Sequence, residues 1–152
     1  MVEKRMGIVA IPSMNKGGLS DNINPRFGRC ASFTFVELEK QEIIAVRTVP
    51  NPAAGAMGGA GVQATQIIGN NNADTVIVGF LGPNAANGLK AINIKILQAP
   101  DKEMTVKEVL DLYLEDKLEE ISSANVASHY GMGGGGRDME KGGRRRGGIY
   151  NP

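Results

Sequence analysis

A chain of 152 residues with 41% hydrophobic content sets one packed domain as the expectation. Its net charge of +1 divides unevenly: five basic and two acidic residues give Gly131–Pro152 a charge of +3, leaving −2 for the rest, so the body offers no basic face for duplex nucleic acid. A single Cys excludes an internal disulfide and fits a reducing cytoplasm, no apolar h-region follows Met1–Met6, and no apolar run nears the roughly 20 residues of a membrane span, so a soluble cytoplasmic protein is expected.

Met6–Pro12 is apolar on both faces, the pattern of an inner strand in a sheet covered on both sides. A long connection, Ser13–Ser32, follows with almost no apolar periodicity. Connections of that length are usually functional or disordered. This one holds Arg26, Phe27, Gly28, Arg29 and Cys30, and reads as a binding loop set on a rigid sheet. Phe33–Glu39 and Glu42–Val49, split by a short polar turn, read as an antiparallel hairpin ended by Asn51-Pro52.

Gly55–Gly61 leads into a helix whose Ala60, Ala64, Ile67 and Ile68 share one face, with Gly69 and Asn70–Asn72 as its stop. Asp74–Gly79 is a buried strand. Gly82-Pro83 opens the next helix, with Ala85, Leu89 and Ile92 inward. Ile94–Leu97 is a short strand. Thr105–Glu108 fits a capping box, with Met104 and Val109 as its hydrophobic staple. The last helix runs from Val106 to about Leu118, with Val106, Val109, Leu110, Tyr113 and Leu114 inward. The expected fold is a three-layer α/β/α sandwich on a mixed five-stranded sheet with Phe33–Glu39 antiparallel. The domain spans residues 1–121; residues 122–152 form a Gly/Arg-rich tail expected to be disordered.

If the strands ending at Pro12, Val49 and Gly79 are parallel, the loops Ser13–Ser32, Asn51–Gly61 and Phe80–Asn84 meet at one sheet edge, where open α/β sheets bind ligands. The Gly-rich loop, with Gly58, Gly59 and Gly61, suits close approach of an anion to helix-start N–H groups, or is a flexible linker. It is neither a P-loop nor a dinucleotide fingerprint. Arg26 and Arg29 are forks for carboxylate or phosphate, or solvated loop charges. Cys30 is a soft ligand or nucleophile, or a small buried hydrophobe. With His129 the only histidine, a structural zinc site and a Ser-His-Asp triad are excluded, and scattered carboxylates exclude two-metal hydrolysis. Metal binding through His129, Met132 and Met139 is a further option. Gly142–Gly148 resembles an RGG segment, or serves as a solubilising extension.

The Ile-Pro-Ser of the opening strand, Phe27–Cys30, Asn51-Pro52 before a Gly-rich helix start, and Asp74–Gly79 before Gly82 resemble the dinitrogenase iron–molybdenum cofactor biosynthesis family over Met6 to Leu118. The resemblance implies a ribonuclease H-like fold and a carrier, not an enzyme, of iron–sulfur or iron–molybdenum cofactors or their precursors. It implies a cluster donor or acceptor protein as partner. An anionic cluster would then be held by Arg26, Phe27, Gly28, Arg29, Asn51, Gly58, Gly59, Gly61 and Gly82, with Cys30 as the one direct metal ligand. The rival readings are a nucleic-acid-associated module acting through the tail and a small-molecule or nucleotide-binding regulatory domain.

Overall fold

The computed structural model describes residues 6–55 and 59–125. Gly58, His129, Met132, Met139 and residues 126–152 of the tail, all singled out in the sequence, lie outside the described residues. In chain order the elements are β1 (Met6–Ser13), a 3-10 turn (Phe27–Arg29), β2 (Ser32–Glu39), β3 (Glu42–Pro50), α1 (Ala60–Asn70), β4 (Thr75–Val78), α2 (Pro83–Ala91), β5 (Lys95–Gln98), α3 (Val106–Leu114) and β6 (Glu119–Glu120).

The strands form one sheet in the order β3-β2-β1-β4-β5-β6. β1, β4 and β5 run parallel. β2 lies antiparallel between β1 and β3, so β3 points the same way as β1. The mixed α/β/α layout is as expected, but the sheet has six strands, not five. The sixth, Glu119–Glu120, pairs antiparallel with Leu97 and Gln98. It exists because α3 stops at Leu114 instead of near Leu118, and Asp116, at φ 61°, turns the chain back along β5. Two adjacent glutamates on an edge carry no apolar period for a sequence reading to find.

Strand alternation divides the core. Ala10, Phe33, Phe35, Val76 and Val78 face Ala64 and Ile68 of α1 and Ala85 and Leu89 of α2. Val9, Ile11, Val36, Ile77 and Leu97 face Val106, Val109 and Leu110 of α3. The inner strands β1 and β4 thus bury both faces, which is why their sequences are apolar throughout. At the edge, Arg47 of β3 stacks its guanidinium 5.1 Å from the centre of the Phe35 ring and donates to Asn71 at the end of α1, closing that flank.

The capping box at α3 is formed: Thr105 Oγ1 accepts from Glu108 N–H at 3.1 Å, and Glu108 Oε1 accepts from Thr105 N–H at 2.9 Å. Pro83 opens α2 as expected, but Ile92 does not join its inner face. It sits just past the helix, 45% exposed. The chain stays packed beyond Ile121: Ile121 and Ala124 pack against the α1/α2 side of the core.

Candidate functional site

The carboxyl ends of β1, β3, β4 and β5 share one rim, and the three expected loops meet there. The long loop is not structureless. It pairs back at Ser13–Ile23, at Asn22–Thr105 and, in parallel, at Arg26–Phe80. Its first half is held by a buried hydroxyl chain: Ser13 Oγ lies 3.0 Å from Thr34 Oγ1 and 2.7 Å from Ser32 Oγ, and Ser32 Oγ donates to Asn15 O at 2.7 Å. Gly18 N–H donates to Thr34 Oγ1 at 3.0 Å. Each hydroxyl then has a partner, as burial requires.

Asp21 is the hub of this half. Its carboxylate accepts from Asn15 N–H, Asn15 Nδ2, Gly17 N–H and Asn22 N–H, all within 3.1 Å. Desolvation by itself would raise the carboxyl; the four donors outweigh it and hold the group below its usual range. The same loop closes the start of α3, since Asp21 O and Leu19 O accept from Val106 N–H and Lys107 N–H.

The starts of α1 and α2 are different. Gly59 (φ 75°) precedes α1 and Gly82 precedes α2; neither helix has a side-chain cap or an acidic residue in its first turn. The two starts are in contact. A Cβ on Gly61 would lie 3.3 Å from Ala85 Cβ. A Cβ on Gly28 would lie 3.2 Å from Gly61 N, so the 3-10 turn stacks on α1, and both glycines are needed for the close approach. The rim therefore sets two helix starts side by side beneath the Arg26–Arg29 turn. Arg26 is exposed; Arg29 is half-buried and donates from Nη1 to Ala54 O at 3.3 Å. Positive helix ends beneath a turn that carries two arginines favour an anion.

Not every residue expected at this site faces it. Phe27 is 2% exposed, its ring 5.6 Å from that of Phe33, so it anchors the turn in the core and offers no exposed surface to a partner. Asn51 is also buried: its Nδ2 donates to Gly28 O at 3.1 Å and Cys30 O at 2.9 Å, and its Oδ1 accepts from Ala53 N–H. It ties two loops together from within the core.

Cys30 is fully buried, and its Sγ lies 3.3 Å from Phe27 O as a donor. Burial pushes the thiol up to about 12, against a smaller opposing effect from the Asn51 amide. In this arrangement Cys30 packs as a small core residue, with no exposed sulfur on the rim. Among the described residues no group of three or more His, Cys, Asp or Glu could hold a metal ion. The native protein is expected to resist thiol reagents at pH 8 and to react at once in urea; fast labelling of the folded chain would contradict this placement. Folding favours the neutral thiol, so this stabilisation is complete below the unfolded value of 9.0 and declines as pH rises from there towards about 12.

Sequence reasoning missed Ser13, Thr34, Asp21 and Asn125. Asp21 left a trace, because Asx residues near glycines form local turns. Asn125 left none. It lies where periodicity has ended, yet its amide reaches the β4–α2 connection.

A model of the dinitrogenase iron-molybdenum cofactor family matches residues 7–116. The chain belongs to this family. An uncharacterised protein of Methanocaldococcus jannaschii is 32% identical over 113 residues, 74% of this chain and 90% of that one. The apo form of the orange protein from Desulfovibrio gigas superposes with a TM-score of 0.71 at 28% identity, covering 82% of this chain and 100% of that one. A NifB-like protein of Thermotoga gives 0.64 at 31% identity, covering 80% and 98%. Among the described residues, no helix is long and apolar enough to cross a membrane.

Proposed function

We propose that the protein is a non-enzymatic, cytoplasmic carrier that captures a preformed anionic metal–sulfur cluster, of iron–sulfur or iron–molybdenum type, or its precursor, and hands it to a donor or acceptor protein. The observation that carries this reading is the pair of adjacent helix starts, α1 and α2, without side-chain caps or acidic first turns, beneath Arg26 and Arg29. The family supports the cargo class. The strand order β3-β2-β1-β4-β5 with β2 reversed supports a ribonuclease H-like motif for the domain.

The donor set shapes the mechanism. With Cys30 fully buried, the rim offers no exposed thiol for direct ligation. It fits recognition from outside the cluster, by guanidinium groups and backbone N–H groups reaching the cluster's outer sulfur or oxygen atoms. Such contacts release a cluster intact, because no metal–protein bond has to break.

Thiomolybdate is the test probe, titrated by absorbance without oxygen. Replacing Arg26 and Arg29 together by alanine is expected to weaken binding by about tenfold or more, since charge-assisted hydrogen bonds contribute about 1.5–3 kcal/mol each. Cys30→Ala, while folded, is expected to bind as wild type does, and added salt to weaken both. Binding that ignores the arginines but vanishes with Cys30 overturns the reading. Parallel titration with nucleotides separates it from the regulatory-domain alternative, and deletion of 131–152 from the nucleic-acid one.

A further inference from the structure

After β6 the chain crosses the ends of β5 and β4 and reaches Asn125. There the backbone N–H donates to Leu81 O at 2.9 Å, and Oδ1 accepts from Leu81 N–H at 2.7 Å. The side-chain Nδ2 donates to Gly79 O and to Gln98 Oε1, both at 2.7 Å. Gln98 in turn donates from Nε2 to Gly79 O at 3.0 Å and Val78 O at 3.3 Å. One residue thus takes both backbone polar groups of Leu81 and the carbonyl of Gly79.

The turn it grips, Gly79–Gly82, leads directly into the start of α2. The same turn carries the arginine loop: Phe80 N–H donates to Pro25 O at 2.6 Å, and Arg26 pairs with Phe80 in parallel. We propose that Asn125 is the positioning residue of the rim. Its amide fixes the Gly79–Gly82 turn, and that turn sets both the Gly82 helix start and the Pro25–Arg26 backbone. The root of the basic tail is thereby coupled to the arginine loop. The part of this inference that concerns ligand affinity rests on the anion-rim reading above; the positional part does not.

The test uses full-length Asn125→Ala and Asn125→Asp, with amide exchange at Leu81 and Phe80 and thiomolybdate titration as readouts. Asn125→Ala is expected to speed exchange at Leu81 and Phe80 by about tenfold, the size of one lost net hydrogen bond, while strands β1 and β4 keep wild-type rates. Thiomolybdate affinity should fall by several-fold. Asn125→Asp keeps an acceptor for Leu81 N–H but loses both donors and sets a carboxylate against Gly79 O and Gln98 Oε1. It should leave Leu81 partly protected and still lose affinity. Deleting residues 131–152 should leave both amides protected. Wild-type exchange at Leu81 and Phe80 in Asn125→Ala overturns the inference. So does faster exchange spread evenly over the sheet, which would mean general loss of stability. If wild-type protein binds no thiomolybdate, the anion-rim reading fails, while the exchange rates still decide the role of Asn125.

Discussion

Gly79→Ala is expected to lower stability by about 1–3 kcal/mol, read as the shift of the urea unfolding midpoint at constant slope. A Cβ at this position would lie 2.8 Å from both Cα and O of Pro25 and 3.0 Å from its Cβ. Two of those three atoms are backbone, so no side-chain rotation relieves the contact. The cost is steric, since Gly79 is not among the positive-φ residues. Moving Pro25 away also weakens the Phe80 N–H to Pro25 O bond and the Arg26–Phe80 pairing, so the same variant should lose anion affinity. Gly55→Ala is the control: a Cβ there meets nothing within 4 Å, and its midpoint should stay near wild type. A Gly79→Ala midpoint equal to that of Gly55→Ala would show that the two loops are not held as described.

The elements that the sequence made legible are those specified by local chemistry. β1 and β4 announce themselves by being apolar on both faces, the hairpin by its two strand runs and turn, α3 by Thr105 and Glu108, and α2 by Pro83. Each needs only neighbours within a few residues. The convergence of loops at the carboxyl rim was legible too, since it follows from strand direction alone.

What stayed hidden depends on partners far along the chain. Asn51 reads as a turn residue, and nothing local says that its amide will meet the carbonyls of Gly28 and Cys30. Asn125 lies in a stretch with no period, yet it grips Gly79 and Leu81. The strand Glu119–Glu120 exists because β5 has an open edge, not because of its own residues. Cys30 was ambiguous by type, and its burial depends on neighbours far along the chain. The Ser13, Ser32 and Thr34 hydroxyls carry no local signal, yet they form the buried chain that turns a long connection into a fixed one. The positions that shape the rim are therefore mostly not the positions that would touch a ligand.

Asn51 shows this most sharply, and its replacement is the second large effect expected. Asn51→Ala removes the donor to Gly28 O and Cys30 O and the acceptor of Ala53 N–H, at a site 5% exposed. A buried polar group left without a partner costs about 1–3 kcal/mol, and with partial relaxation the expected loss is about 2–4 kcal/mol in urea unfolding. Asn51→Asp separates hydrogen bonding from shape. It keeps the size of the side chain and the acceptor for Ala53, but at neutral pH it aims a carboxylate at two carbonyl oxygens. Its loss should equal or exceed that of Asn51→Ala at pH 7. The ionised form is disfavoured by folding, so its pKa is raised in the folded state. Asn51→Asp should therefore recover relative to wild type as pH falls below that raised value, where the protonated acid can donate to one carbonyl again. An Asn51→Ala protein within about 0.5 kcal/mol of wild type would show that the amide does not hold the two loops together, and that the rim is fixed by backbone contacts alone.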